Sequence, residues 1–228
     1  MKLIRLAFAT AIAMCIACGF AFAQPQNQGQ NNRQQQRASA MMQTVLVAIA
    51  SQSDVLQLVF RKDVQLDLKM DLGQRNRFDN LHDRQVRDLQ QARMQNRRNQ
   101  AAVTDLQAKQ RKEVQGKIDE LLSDSQKKRL NQISLQLQGN SAVFAADIQK
   151  QLGISDDQRE RIKQVKYQRD QTVSQLPNRV AAGEIGPQDV GTEVQQAYKD
   201  ANDALADVLT TDQAEALQKL FGPLFKAG

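Results

Sequence analysis

The sequence predicts an all-α protein, an elongated helical bundle built from two tandem related units. A helix-start pattern recurs four times, and apolar residues after position 40 repeat with helical spacing. No segment alternates apolar and polar residues over a useful length. Phe, Trp and Tyr make up only 4% of the chain, so we expect thin helix-on-helix seams instead of a thick core.

Each copy of the helix-start pattern places Ser, Thr or Asp after a large apolar residue, and a Gln three positions later. In a capping box the short polar side chain accepts from a first-turn amide, and the Gln accepts from the N-cap amide. The pattern therefore predicts four helix starts. The predicted capping pairs are Asp71 with Gln74, Ser123 with Gln126, Ser155 with Gln158, and Thr210 with Gln213.

The spacing of these helix starts indicates an internal duplication. Residues 60–78 match residues 144–162 at an offset of 84 positions, with seven identities. The later helix starts of the two units lie 87 positions apart. Because two copies are too few for a solenoid, we expect a bundle of two helical units, residues 40–139 and residues 140–228.

Residues 1–23 have the features of an export signal. Lys2 and Arg5 precede an apolar stretch, and a small-x-small cleavage site ends at Ala23. The signal predicts a periplasmic or otherwise extracytoplasmic location. An uncleaved membrane anchor and lipid attachment at Cys18 are the alternatives. Both cysteines lie inside this segment, so a chain cleaved there has no thiol or disulfide.

Residues 24–39 form a leader in which ten of sixteen residues are Gln or Asn. This composition buries too little apolar surface to offset chain entropy, so we expect a disordered, flexible spacer. The apolar segment Met41–Ala50 then predicts a short buried helix. A break over Ser51–Asp54 and a helix over Val55–Leu68 follow.

The middle of the first unit permits two interpretations. The apolar stripe that follows Asp71 reaches Leu89, lapses from Gln90 to Ala102 and resumes at Val103. This predicts either a helical hairpin that turns near Asn96–Gln100 or one long helix with a polar waist. We favour the hairpin, because the second unit breaks at the matching place.

In the second unit we expect a helix over Asp156–Gln175 and a break over Leu176–Gly191, where Pro and Gly residues interrupt the pattern. Pro187 suits the first turn of the next helix, which runs toward Leu209. A last helix is predicted over Asp212–Phe221.

Charge is distributed unevenly along the chain. Arg75–Lys117 contains eleven basic and five acidic residues, whereas Glu184–Glu215 contains eight acidic residues and one lysine. Either these segments attract each other within one bundle, or the basic hairpin offers a surface to acidic partners. The candidate basic face consists of Arg84, Arg87, Arg93, Arg97 and Arg98.

The sequence offers little for catalysis. His82 is the only histidine, and no Ser lies in a Gly-x-Ser-x-Gly turn. There is no Gly-rich phosphate loop, and the methionines are too scattered for a metal site. We therefore predict a protein that is not an enzyme and has no catalytic residues, metal or cofactor. The export signal and the lack of interleaved aromatic residues also argue against nucleic acid as a partner.

The repeated pattern in an exported, helical, cysteine-poor chain resembles the LTxxQ-motif family of periplasmic Spy- and CpxP-type proteins. Leu209–Gln213 fits the motif strictly and the other three copies fit it loosely, so the resemblance covers about residues 55–222. Family members are small helical cradles, often antiparallel dimers. They act as ATP-independent chaperones or envelope-stress modulators, and they present a basic, partly apolar concave face to unfolded clients.

The resemblance implies a chaperone-like protein that binds unfolded or envelope proteins through apolar helix faces and the five arginines. The alternative is a structural or scaffold protein of the envelope, with or without a lipid anchor at Cys18 and with the leader as a spacer. The chain carries two units where the better-known members carry one. We therefore expect either a monomer that builds the cradle internally, as a pseudo-dimer, or a homodimer.

Overall fold

The computed structural model describes residues 28–95 and 100–226, and within them the protein is all-helical, without strands. The all-α prediction is therefore confirmed. The α-helices are α1 (Gln28–Ser53), α2 (Val55–Leu58), α3 (Lys62–Asp67), α4 (Leu72–Gln95), α5 (Gln100–Leu121), α6 (Asp124–Gln138), α7 (Ala146–Gln151), α8 (Asp156–Ala181), α9 (Val190–Ala206) and α10 (Thr211–Phe221). Two 3₁₀ helices, Gly139–Phe144 and Pro187–Asp189, connect α6 to α7 and α8 to α9.

Helix α1 includes most of the segment that composition assigns to a flexible spacer. From Gln28 onward that prediction is wrong, and the helix continues through the expected break as far as Ser53. Ala38 is fully buried, and Gln35 donates to Asn178 Oδ1 at 2.9 Å. Gln is a good helix former, and packing against other helices supplies the stabilisation that the leader's composition lacks. The first four leader residues lie outside the described part of the chain.

Although the second half of α1 belongs to the first unit, α1 packs on the second unit. Ala38 of α1 joins Val173 and Val180 of α8 and Val194 of α9 in one hydrophobic cluster. Met42, Val45, Leu46 and Ile49 of α1 pack against the same cluster. A third helix therefore covers the half of the α8–α9 hairpin that lies near its loop.

Helices α4 and α5 form an antiparallel hairpin, as the sequence favours. Gln85 Nε2 donates to Gln110 O at 3.2 Å, and Gln110 Nε2 donates to Gln85 O at 3.0 Å. Phe78 and Leu81 of α4 and Val114 of α5 are buried at the base of this hairpin. Residues 96–99, which connect the two helices, lie outside the described part.

Pro177 does not end α8, so the predicted break is displaced. The helix continues to Ala181, with Pro177 buried inside it. Pro lacks an amide hydrogen and costs about 3 kcal/mol in a helix interior. Here Leu176 and Val180 are buried on either side of Pro177, so packing on α1 and α9 keeps the segment helical. The break falls after Ala182, and Pro187 begins the 3₁₀ turn before α9 as expected.

The chain's end returns to the first unit. After α10, Phe225 inserts into the hydrophobic cluster formed by α2 to α6 and is 8% exposed. Phe225 N donates to Gln136 Oε1 at 2.8 Å, and Arg129 donates to Pro223 O at 2.7 Å. The tail therefore fixes the second unit against α6 of the first.

Candidate functional site

The four predicted capping pairs all form. Gln74 N donates to Asp71 Oδ1 at 2.7 Å, and Asp71 N donates to Gln74 Oε1 at 3.0 Å. The N-cap residues of α6, α8 and α10 have extended backbones, which suits this position. The same reciprocal bonds join Ser123 with Gln126, Ser155 with Gln158 and Thr210 with Gln213.

Each capping glutamine also contacts the glutamine of another capping pair. Gln74 and Gln126 exchange amide hydrogen bonds, with both Nε2–Oε1 distances at 3.1 Å. Gln158 Nε2 donates to Gln213 Oε1 at 2.6 Å, and Gln213 Nε2 donates to Gln158 Oε1 at 3.0 Å. We call Gln74–Gln126 the first clamp and Gln158–Gln213 the second clamp. Neither clamp follows from the sequence pattern, because the paired glutamines lie 52 and 55 residues apart.

The clamps also satisfy backbone carbonyls near the ends of α5 and α9, the helices that precede α6 and α10. Gln74 Nε2 donates to Leu121 O at 2.7 Å, and Gln158 Nε2 donates to Val208 O at 2.9 Å. These two carbonyls lie 87 positions apart, as the later helix starts do. Because the glutamine amides are occupied by protein groups, the clamps hold helices together and offer little to a ligand.

A further hydrogen bond occurs once in each unit, at positions that differ by 84 residues. Gln65 Nε2 donates to Val59 O at 3.1 Å, and Gln149 Nε2 donates to Val143 O at 2.8 Å. Donors and acceptors are each separated by 84 positions, the offset that aligns the two sequence segments. The equivalence therefore extends from residue types to individual atoms.

The described residues do not bring the candidate arginines onto one face. Arg84 is ion-paired with Glu113, and Arg87 lies close to the same side of α4. Arg93 follows Arg84 by nine positions, about two and a half turns, and so lies on the opposite side of the helix. The single basic face is thus not assembled in this part of the chain. Arg97 and Arg98 lie outside the described residues, as do Cys18 and the export signal.

A cleft lies between α1 and the α4–α5 hairpin, with α2 between them, and has a volume of about 320 Å³.

 A second cavity, of about 360 Å³, lies beside Gln136 and Phe225.

We call the first of these the hairpin cleft. Its apolar lining comes from α1, α2, α4 and α5, and its polar rim consists mainly of amide side chains. Val47 on α1 is 62% exposed at its edge. Arg111 donates to Asp54 Oδ2 at 2.6 Å and so fixes α5 to the start of α2. The lining residues are Val47, Asp54, Leu56, Gln57, Gln85, Leu89, Gln107, Gln110, Arg111 and Val114.

Exposed apolar side chains continue from the cleft along α4. Val86 is 40% exposed, and it shares a side of the helix with Leu89 and Arg93, which follow at three and seven positions. Met94 is 66% exposed nearer the end of the helix. Val86 and Leu89 belong to the apolar stripe that follows Asp71, but α4 and α5 form only a two-helix layer here. Their outer flank therefore stays open.

The titratable groups near the base of the α4–α5 hairpin contact neighbouring side chains. Burial raises the pKa of Asp79, but hydrogen bonds from Lys62 and Gln65 outweigh it and hold that pKa below the usual carboxyl range. The His82 ring lies on Phe60, with 4.8 Å between ring centroids. Within residues 28–95 and 100–226, no three His, Cys, Asp or Glu side chains are grouped to hold a metal ion.

None of the helices in the described part is long and apolar enough to cross a membrane. Comparisons of the chain with protein-family models, curated proteins and solved structures found no match.

Proposed function

We propose that this protein is an exported, non-enzymatic, chaperone-like protein that holds apolar segments of unfolded or envelope proteins. The observation that carries the proposal is the hairpin cleft, where exposed Val47 and partly buried Leu89 adjoin a rim of amide groups. Apolar grooves with few polar groups are typical of binding sites, and they need no reactive residue. The export signal supports a periplasmic location. The resemblance to LTxxQ-motif proteins supports unfolded or envelope proteins as the clients.

We also propose that the chain arose by duplication of one helical unit. Support comes from the atom-by-atom equivalence of Gln65 with Gln149 and from the two clamps. A duplicated unit gives one chain two hairpins, α4–α5 and α8–α9. Helix α1 packs on the α8–α9 hairpin, whereas at the α4–α5 hairpin it contributes Val47 to the edge of an open cleft, which leaves that cleft for binding.

The proposed function is tested by suppression of aggregation. The chain from Gln24 is mixed at near-stoichiometric ratio with a chemically denatured client, and light scattering is followed after dilution. We expect a delayed and reduced rise in scattering. An unchanged rise would contradict the chaperone-like function.

A scaffold function is the second candidate, favoured by the clamps and by the tail that inserts Phe225 into the first unit. Each clamp fixes helices within one unit, and the tail fixes the second unit to the first, as a scaffold requires. A scaffold predicts no effect on aggregation but a stable envelope partner after crosslinking and purification. The two assays together separate the candidates.

A further inference from the structure

We propose that the α4–α5 hairpin binds an acidic amphipathic helix of a partner protein, in the manner in which the α8–α9 hairpin binds α1. This inference rests on the proposed function, because it specifies what the hairpin cleft holds. The chain supplies its own example of the binding mode: a third helix lies along a two-helix hairpin and buries apolar side chains against it.

The offsets between the units identify the equivalent surface. Val173 on α8 corresponds to Leu89 on α4, at an offset of 84 positions. Val190 on α9 corresponds to Val103 on α5, at an offset of 87. Both valines lie in the cluster that α1 covers. Val103 is itself buried, whereas Leu89 is only half-buried, so the α4–α5 hairpin leaves accessible the apolar position whose counterpart Val173 lies in the cluster under α1.

The flanking positions differ and define the chemistry of the occupant. Val194 corresponds to Gln107, and Pro177 corresponds to Arg93. An occupant of α4–α5 thus meets an amide and an exposed cation where α1 meets apolar groups. An apolar stripe with carboxylates beside it fits this surface, because the carboxylates pair with the arginine while the stripe covers Leu89.

The overall charge of the hairpin favours the same occupant. Arg75–Lys117 carries a surplus of six positive charges, from eleven basic and five acidic residues. The α1 helix of a second copy has arginines and no acidic residue, so it would be repelled. A partner helix with acidic flanks is therefore a better match than α1 of another copy.

The test uses two synthetic peptides that are based on residues 28–53. The acidic probe carries R33E, Q36E, R37E and Q43E, all at positions that α1 exposes to solvent, and the second probe keeps the native sequence. Binding of labelled probe to the chain from Gln24 is measured by fluorescence anisotropy at two salt concentrations. We expect saturable binding of the acidic probe that weakens with salt.

Arg93→Glu is the site variant and Arg87→Glu is its matched control, since both are exposed arginines of α4 on different sides of the helix. We expect R93E to weaken the acidic probe about tenfold and R87E to change it less than about twofold. Equal loss with R87E, or equally tight binding of the native-sequence probe, would overturn the proposal.

Hydrogen exchange locates the bound probe. Protection should rise in α4 and α5; protection confined to α8 and α9 would mean that the probe replaces α1, which contradicts the proposal. A dimer that R93E converts to a monomer in light scattering would instead assign the surface to a second copy. If aggregation is suppressed but the acidic probe does not bind, the helix proposal fails alone. If the probe binds without suppression, the proposed chaperone-like function fails.

Discussion

Each capping glutamine uses both ends of its amide. In the second clamp, Gln158 Oε1 accepts from Ser155 N, while Gln158 Nε2 donates to Val208 O and to Gln213. One side chain thus joins the starts of α8 and α10 to the end of α9. The capping bonds are predictable because they span three residues. The clamp bond spans 55 residues, and only the folded arrangement creates it.

Replacing Gln158 with Glu tests the clamp. A carboxylate still accepts from Ser155 N, but it cannot donate to Val208 O, whose hydrogen bond is lost. We expect the free energy of unfolding to fall by about 2 kcal/mol. Urea denaturation gives this value, with Gln164→Glu as the control on an exposed position of the same helix. Equal midpoints for the two variants would show that the clamp contributes nothing to stability.

Two glycines predict opposite effects of the same substitution. Gly153 has a φ of 61°, where a Cβ is strained, whereas Gly116 lies inside α5 with open space around a built Cβ. Gly153→Ala should lower stability by about 1 kcal/mol. Gly116→Ala should raise it by about 1 kcal/mol, because alanine favours the helix. Thermal unfolding of both variants measures the signs, and shifts in the same direction would contradict the backbone argument.

At the scale of elements, α1 shows where composition misleads. The composition of the Gln-rich leader predicts disorder, because its own residues bury little apolar surface. It becomes helical because Ala38 fits between α8 and α9, which lie more than a hundred residues away in the chain. Pro177 shows the same limit. Local rules place a proline at a helix end, but burial keeps Pro177 inside α8.

Replacing Ala38 with Arg should release the first half of α1. Ala38 is fully buried, so a charged side chain there either loses its hydration or forces the helix away. We expect amide protection between Gln34 and Met42 to fall by at least about tenfold in hydrogen exchange. Ala40→Arg is the control, because Ala40 is exposed on the same helix. Unchanged protection in the Ala38 variant would show that α1 does not depend on this contact.

At the scale of the molecule, α1 and the tail cross between the units in opposite directions. Helix α1 covers the hairpin of the second unit, and Phe225 enters the cluster of the first. The sequence predicts the helix starts that the capping pairs mark, because these depend on local spacing, but it merges α2 and α3 into one helix over Val55–Leu68. It does not predict the hairpin cleft, because Val47, Leu56 and Leu89 come from three separate helices.

The most direct measurement compares two aspartate variants in the aggregation assay. Val47 and Leu66 are 62% and 64% exposed, but only Val47 lines the hairpin cleft. We expect Val47→Asp to lose most of the suppression that the unmodified chain gives, and Leu66→Asp to retain it. Equal suppression by the two variants, or equal loss, would contradict the claim that the hairpin cleft binds the client.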